Sequence, residues 1–350
     1  MKPITKLVSA SLCAFSVFVA NASVAPSFSS LVVFGDSLSD PGNALFLTKN
    51  FPFDGAGGLF LTSQGQNFDP LGRFSNGPTA PEQMASALGL TTRLAWDPLS
   101  IGGAINFAVG GALTGSGHLT QGAVPQLANT GVSAQVARYT NAPGFDAAST
   151  LFMIQGGGND IFAANAFAAA NSLSFAQLNV LYGAVINSAT SNLANSILEL
   201  GYKGATNILW QGLPDLGLTP LSQAGDQPAM DASSFLTDSF NQLLAQKIGI
   251  VNQQLDAIRG FDVNIIGFDT AGLMRAAYIA APSSFTDPHC VAAGQQPDCA
   301  GLFFWDSVHP TTAAHGILAN QLLAAVPEPE VWLLMMAGLG LVAFRARRRA

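Results

Sequence analysis

The 350-residue chain carries 14 Lys and Arg against 21 Asp and Glu, a formal charge of −7, and 49% of it is apolar. So much apolar material can bury a sizeable core, which excludes a largely disordered chain. The acidic balance excludes nucleic acid or an anionic membrane surface as the main partner.

At the N-terminus, Lys2 and Lys6 precede an apolar run over residues 7–20, and Ala20-Asn21-Ala22 has the small-x-small form of a cleavage site. Residues 1–22 are therefore expected to be a signal peptide, cut after Ala22. The alternative, an uncleaved anchor, suffers from a run too short to span easily.

The next stretch, Leu31-Val32-Val33-Phe34-Gly35-Asp36-Ser37, runs four apolar residues into a turn that holds a serine. The apolar part fits a strand covered on both faces. Gly35 and Asp36 favour the turn, so Ser37 falls at the carboxyl end of a strand, where open α/β sheets build their sites. A serine there serves either as a nucleophile or as a turn or helix-cap residue. From Ser37 to about Pro81 the sequence is irregular and rich in Gly, Asn, Phe and Pro. Its phenylalanines either line a substrate rim or pin the loop to the domain.

Beyond it, helices are predicted over residues 81–88, 175–200, 233–258, 271–278 and 311–325. Strands are predicted over 91–96, 104–109, 150–154, 205–210 and 263–268. Two of the strands end in glycine clusters, Gly110-Gly111 and Gly156-Gly157-Gly158. The alternation predicts one α/β domain, residues 23–326, with a parallel sheet covered on both faces.

The C-terminus has Val326-Pro327-Glu328-Pro329, an apolar run over residues 331–344, and then Arg345, Arg347, Arg348 and Arg349. A helix of that length covers ~21 Å, so flanking residues must complete a span of the ~30 Å hydrocarbon core, with the basic cluster on the cytoplasmic side. Removing residues 1–22 and 327–350 leaves 8 basic and 19 acidic residues, a net charge near −11. Cys13 lies in the leader, so Cys290 and Cys299 remain, and an exported chain is expected to join them. Closing that loop stabilises by roughly 2.5–3 kcal/mol on the chain-entropy model. Zinc held with the adjacent His289 is the poorer reading, because the spacing does not match a metal site.

Near the end lies Asp306-Ser307-Val308-His309-Pro310. Hydrolysis by serine needs a base to take its proton and a carboxylate to hold that base in the right tautomer. His309 and Asp306, one turn apart, fit those roles; a histidine capping the loop before a helix is the alternative. Acyl transfer also needs neutral donors for the oxyanion. The Ser37 N–H, an N–H of Gly110 or Gly111, and the Asn159 side chain are the candidates.

Four blocks carry a resemblance: Gly35-Asp36-Ser37-Leu38, Asn106-Phe107-Ala108-Val109-Gly110-Gly111-Ala112, Gly157-Gly158-Asn159-Asp160 and Asp306-Ser307-Val308-His309-Pro310. In order and spacing they resemble the SGNH/GDSL hydrolase family, and further stretches resemble its lecithinase/hemolysin-like lipolytic branch. The resemblance implies a three-layer α/β/α sandwich with a flavodoxin-like parallel sheet. It also implies nucleophile Ser37, base His309 and orienting Asp306, with oxyanion donors Ser37, Gly111 and Asn159, and no metal or organic cofactor. The tail resembles the PEP-CTERM sorting signal. That implies export in a Gram-negative bacterium, processing by signal peptidase and an exosortase-type enzyme, and a mature protein in the periplasm, at the cell surface or in the matrix; a permanent tail anchor is the alternative. The leading expectation is an exported esterase or lipase acting on carboxylic ester bonds, those of lipids among them. A carbohydrate O-deacetylase is the second, and a binding protein built on the same scaffold is the third.

Overall fold

Leu31, Val32, Val33 and Phe34 are each at most 1% exposed, because strand β1 (Ser30–Phe34) has a neighbouring strand on both edges and a helical layer on both faces. The computed structural model describes residues 28–48, 68–141, 149–259, 263–285, 288–294, 298–326 and 345. The expected signal peptide, the loop residues 49–67 with Phe51 and Phe53, and the apolar run 331–344 lie outside the described residues. Among the described residues, no helix is long and apolar enough to cross a membrane.

Five further strands complete the sheet: β2 (Thr92–Leu94), β3 (Ala104–Asn106), β4 (Thr150–Ile154), β5 (Asn207–Gln211) and β6 (Asn264–Phe268). All pairings are parallel, in the order β2-β3-β1-β4-β5-β6. Without the short edge strand β2, the remaining five follow the flavodoxin-like order, with the switch point beside β1. The expected fold class is therefore the one observed.

Strand side chains alternate between the two faces. Val32, Phe34, Phe152, Ile154 and Ile208 face one layer; Leu31, Val33, Leu151, Met153 and Leu209 face the other. The first layer holds α3 (Val132–Thr140), α4 (Gly158–Asn171), α5 (Phe175–Lys203) and α7 (Gln227–Arg259). The second holds α2 (Ala80–Ala87) and α9 (Thr312–Ala325). Three further helices lie at the margins: α1 (Asn43–Thr48), α6 (Pro220–Gln223) and α8 (Thr270–Ala280).

The predicted strands over 91–96 and 104–109 are each three residues long in the structure. Side chains take over where the ladder stops: Asn43 Nδ2 donates to both Asn106 O and Ala108 O at 2.8 Å, and Asn106 Oδ1 accepts from Ala108 N–H at 2.9 Å. Helices α1, α3, α4 and α6 are not predicted by the sequence pattern. Helix α1 falls inside the irregular Gly- and Pro-rich stretch, and α4 starts within the glycine cluster that follows β4.

Core and surface should respond differently to truncation. Phe152→Ala removes a ring buried between β4 and the first helical layer and should lower the unfolding free energy by about 3–5 kcal/mol in urea denaturation. Ile279→Ala, at a position 78% exposed, should stay within about 0.5 kcal/mol.

Candidate active site

The turn after β1 is held by two glutamines. Gly35 N–H donates to Gln135 Oε1 at 2.9 Å, and Gln135 Nε2 donates to Gly35 O at 2.8 Å and Thr130 O at 2.7 Å. Gln155 Nε2 donates to Asp36 Oδ2 at 2.9 Å, while Asp36 Oδ1 accepts from Leu38 N–H at 3.1 Å. Ser37 is thus carried on a turn whose flanking polar groups are tied down.

His309 arrives from the far end of the chain on a loop that is tied across itself. Trp305 N–H donates to His309 O at 2.7 Å and Thr311 N–H to Phe303 O at 2.8 Å. The Cys290–Cys299 disulfide forms as expected, with Cα atoms 5.2 Å apart. It packs against Trp305, and Cys290 N–H donates to Phe304 O at 3.1 Å. The stretch Phe74-Ser75-Asn76 braces the other side. Ser75 Oγ donates to Pro310 O at 2.9 Å, Asn76 Oδ1 accepts from Thr312 N–H at 2.8 Å, and the Phe74 ring centre lies 5.1 Å from that of His309. Phe74 is 1% exposed, so this phenylalanine pins the loop and does not line a rim.

These supports bring Ser37, His309 and Asp306 together. Ser37 Oγ lies 2.9 Å from His309 Nε2, and His309 Nδ1 lies 2.8 Å from Asp306 Oδ2. A carboxylate only accepts, so Nδ1 carries the ring proton and Nε2 is free to accept from the serine hydroxyl. Burial pushes the Asp306 carboxyl up. The charge and hydrogen bond of His309, with the N–H groups of Val308 and His309, outweigh burial and hold it below the ordinary carboxylate range. Asp36 moves the other way, raised by its burial.

The oxyanion candidates differ in what is left open. Gly110 N–H is committed to Asp40 Oδ2 at 2.8 Å, whereas Gly111 N–H has no partner among the described residues. Asn159 Nδ2 gives one hydrogen to Ala112 O at 3.0 Å and keeps its second. Ser37 N–H is likewise unpaired among the described residues. Asp160, pushed up to about 6 by burial, accepts from Thr114 N–H at 3.0 Å and Thr114 Oγ1 at 2.8 Å, which ties the Gly157–Asp160 block to the chain just after Gly110-Gly111.

Ser37, Asn159 and His309 open onto one cleft. The cleft holds about 930 Å³ including its open mouth, and its far walls come from Leu213, Leu273, Met274, Phe303 and Leu318. Among the described residues, no Lys or Arg lines it. Among the described residues, no group of three or more His, Cys, Asp or Glu could hold a metal ion. The supporting residues Asp40, Phe74, Gln135 and Gln155 are not singled out by the sequence pattern. Only Asp40 leaves a local signal, an acidic residue just before the helix that its side chain caps at Gly42, Asn43 and Ala44.

The fold is a parallel α/β sheet, and a serine, a histidine and an aspartate meet at its carboxyl edge. Residues 31–322 match the model of the GDSL-like lipase/acylhydrolase family, and the chain belongs to that family. Residues 325–349 match the PEP-CTERM protein-sorting motif, which marks chains for export and sorting. The thermolabile hemolysin of Vibrio parahaemolyticus is 26% identical over 84% of this chain and 62% of its own length. Esterase EstA of Pseudomonas aeruginosa is 28% identical over 87% of this chain and 48% of its own. The chain therefore spans about half to three-fifths of these two relatives. Among solved structures, phospholipase A1 from Streptomyces albidoflavus NA297 matches 85% of this chain and all of its own at 18% identity, with a TM-score of 0.40.

Acid stability offers a test of the buried groups. His315, fully buried beside the cleft with no partner for either ring nitrogen among the described residues, is lowered to about 3 by burial. Between about pH 6.5 and 3 the unfolded chain binds a proton that the folded chain refuses, so this group costs stability as pH falls. His118, lowered to about 4, acts with the same sign; Asp40 and Asp160, both raised to about 6, act with the opposite sign over about pH 4–6. His315→Leu should therefore make the loss of thermal stability between pH 7 and pH 4.5 shallower than in the parent.

Proposed function

We propose that this protein is an exported serine hydrolase that cleaves carboxylic esters through an acyl-enzyme, with Ser37 as nucleophile, His309 as base and Asp306 as the carboxylate that orients it. The observation that carries the reading is the continuous Ser37–His309–Asp306 hydrogen-bond relay, with links of 2.9 and 2.8 Å. His309 Nε2 takes the Ser37 proton as Oγ attacks the ester carbonyl, and Asp306 stabilises the imidazolium that forms. Ser37 N–H, Gly111 N–H and Asn159 Nδ2 supply neutral donors to the oxyanion. His309 then returns the proton to the departing alcohol, and water repeats the sequence to free the acid.

The lining of the cleft favours an ester with an apolar acyl chain over an acetylated carbohydrate. Leu213, Leu273, Met274 and Phe303 offer area to methylene groups and few partners to sugar hydroxyls. The names of the hemolysin and esterase relatives agree with ester chemistry in the family. The domain proper is residues 23–326, with a leader before it and a sorting tail after it. An exosortase-type enzyme removes the tail beyond the inner membrane, and the mature chain works in the periplasm, at the cell surface or in the matrix.

The test is hydrolysis of p-nitrophenyl esters from acetate to palmitate by the mature chain. Ser37→Ala and His309→Ala should each lower kcat by roughly 10⁴-fold or more, and the double variant should be little worse than either alone. Rates should rise from acetate to longer chains. Activity confined to acetate would favour the deacetylase reading, and hydrolysis that survives Ser37→Ala would sink the assignment.

A further inference from the structure

Between Gly110 and Ala112 the backbone presents three N–H and three C=O groups, and five of the six have partners. Gly110 N–H donates to Asp40 Oδ2 at 2.8 Å, Gly111 O accepts from Leu119 N–H at 2.9 Å, and Ala112 N–H donates to Val109 O at 3.0 Å. Ala112 O accepts from Asn159 Nδ2 at 3.0 Å, and Gly110 O lies 2.5 Å from His118 Nε2. Only the Gly111 N–H is open among the described residues.

His118 is built for one orientation. It is 2% exposed, and its Nδ1 lies 3.1 Å from the Thr120 backbone N–H, which can only donate. Nδ1 is therefore the bare nitrogen, and the ring proton sits on Nε2, aimed at Gly110 O. Burial lowers His118 to about 4, so the ring stays neutral near pH 7 and keeps this tautomer. The ring also fills the space behind Gly111. That residue adopts φ +88°, and a Cβ there would come within 2.5 Å of the imidazole. Glycine is required on both grounds.

The Gly110 carbonyl and the Gly111 N–H belong to one planar peptide unit and point in opposite directions. A donor fixed on the oxygen therefore fixes where the N–H points. It also polarises the amide and makes that N–H a stronger donor.

We propose that His118 is a positioning residue for ester hydrolysis: its Nε2–H clamps the Gly110 carbonyl so that the Gly111 N–H is held toward the oxyanion, with Asp40 fixing the same glycine from the other side. The proposal rests on the reading of Ser37 and Gly111 given above. A positioned donor acts on the transition state more than on the bound ester, so its loss appears in kcat and not in KM.

The experiment compares His118→Phe, which fills the space without a donor, with His118→Gln, whose amide can reach Gly110 O. The measurements are kcat and KM for p-nitrophenyl butyrate, inhibition by phenylboronic acid, and thermal melting. His118→Phe should lower kcat by about 10- to 100-fold, weaken boronate inhibition by a similar factor and leave KM within about twofold. His118→Gln should recover most of both. If His118→Phe does not fold, His118→Asn, whose shorter amide falls short of Gly110 O, takes its place. An unchanged kcat in the donor-free variant overturns the proposal, as does a loss in every variant that follows melting temperature without rescue by Gln. A parent protein without Ser37-dependent hydrolysis overturns the reading of the site, and the proposal with it. Parent hydrolysis that depends on Ser37 but is indifferent to His118 overturns the proposal alone.

Discussion

Strand β1 is bonded on both edges and packed on both faces, and this constraint decides where the rest of the chain goes. A strand buried in that way has only its ends free, and its carboxyl end opens at the point where the strand order reverses. The chain leaves β1 toward β3 on one side and returns to β4 on the other. The loops after these three strands therefore fan out around one crevice. Ser37, the Gly110-Gly111 pair and Asn159 follow β1, β3 and β4 respectively, and they meet because those strands are neighbours. His309 is the exception, because it follows no strand. Its loop has to be braced from outside by the disulfide, by Phe74 and by Ser75.

The same burial creates a hydrogen-bonding problem. Where the ladder stops, main-chain groups are still out of water, and leaving them unpaired is costly. Side chains replace the missing strand partners. Gln135 serves Gly35, Asn43 serves Asn106 and Ala108, and Asp40 serves Gly42, Asn43, Ala44 and Gly110. Against that background, the N–H groups of Ser37 and Gly111, unpaired among the described residues, stand out. The rigidity of the edge and the availability of its donors have one origin, because the side chains that fix the surrounding peptide units leave these two N–H groups uncommitted among the described residues.

The strands and the candidate site residues are legible in the sequence because their signals are local. Apolar runs ending in Gly mark the strands, and Asp306 and His309 lie within one turn of each other. Helix α4 is hidden by its own composition: it opens on glycine and runs through alanines, so no period of 3.6 emerges. Helix α3 is short and turns Gln135, a polar residue, inward. The supporting side chains are illegible for a different reason. Gln135 acts on a residue 100 positions away and Ser75 on one 235 positions away, and nothing near either residue announces the partner. His118 is only eight residues from Gly110, yet its role depends on the tautomer that the Thr120 amide selects. That is a property of folded geometry and not of spacing.

Charge explains why the donors around Ser37 are amides. Asp36, Asp40 and Asp306 are each at most 3% exposed, and the charges of Asp36 and Asp306 both act on His309. Among the described residues, no Lys or Arg lines the cleft to offset them. In the proposed cycle such a field disfavours any anion that remains near Ser37. A lysine or arginine in the oxyanion position would pair with the nearest of these carboxylates and be lost to the reaction. A backbone N–H or an Asn side chain cannot be neutralised in that way, so it can face a developing oxyanion in an acidic surrounding. The acid released at the end of the proposed cycle ionises to a carboxylate, and the same acidic surrounding then favours its departure.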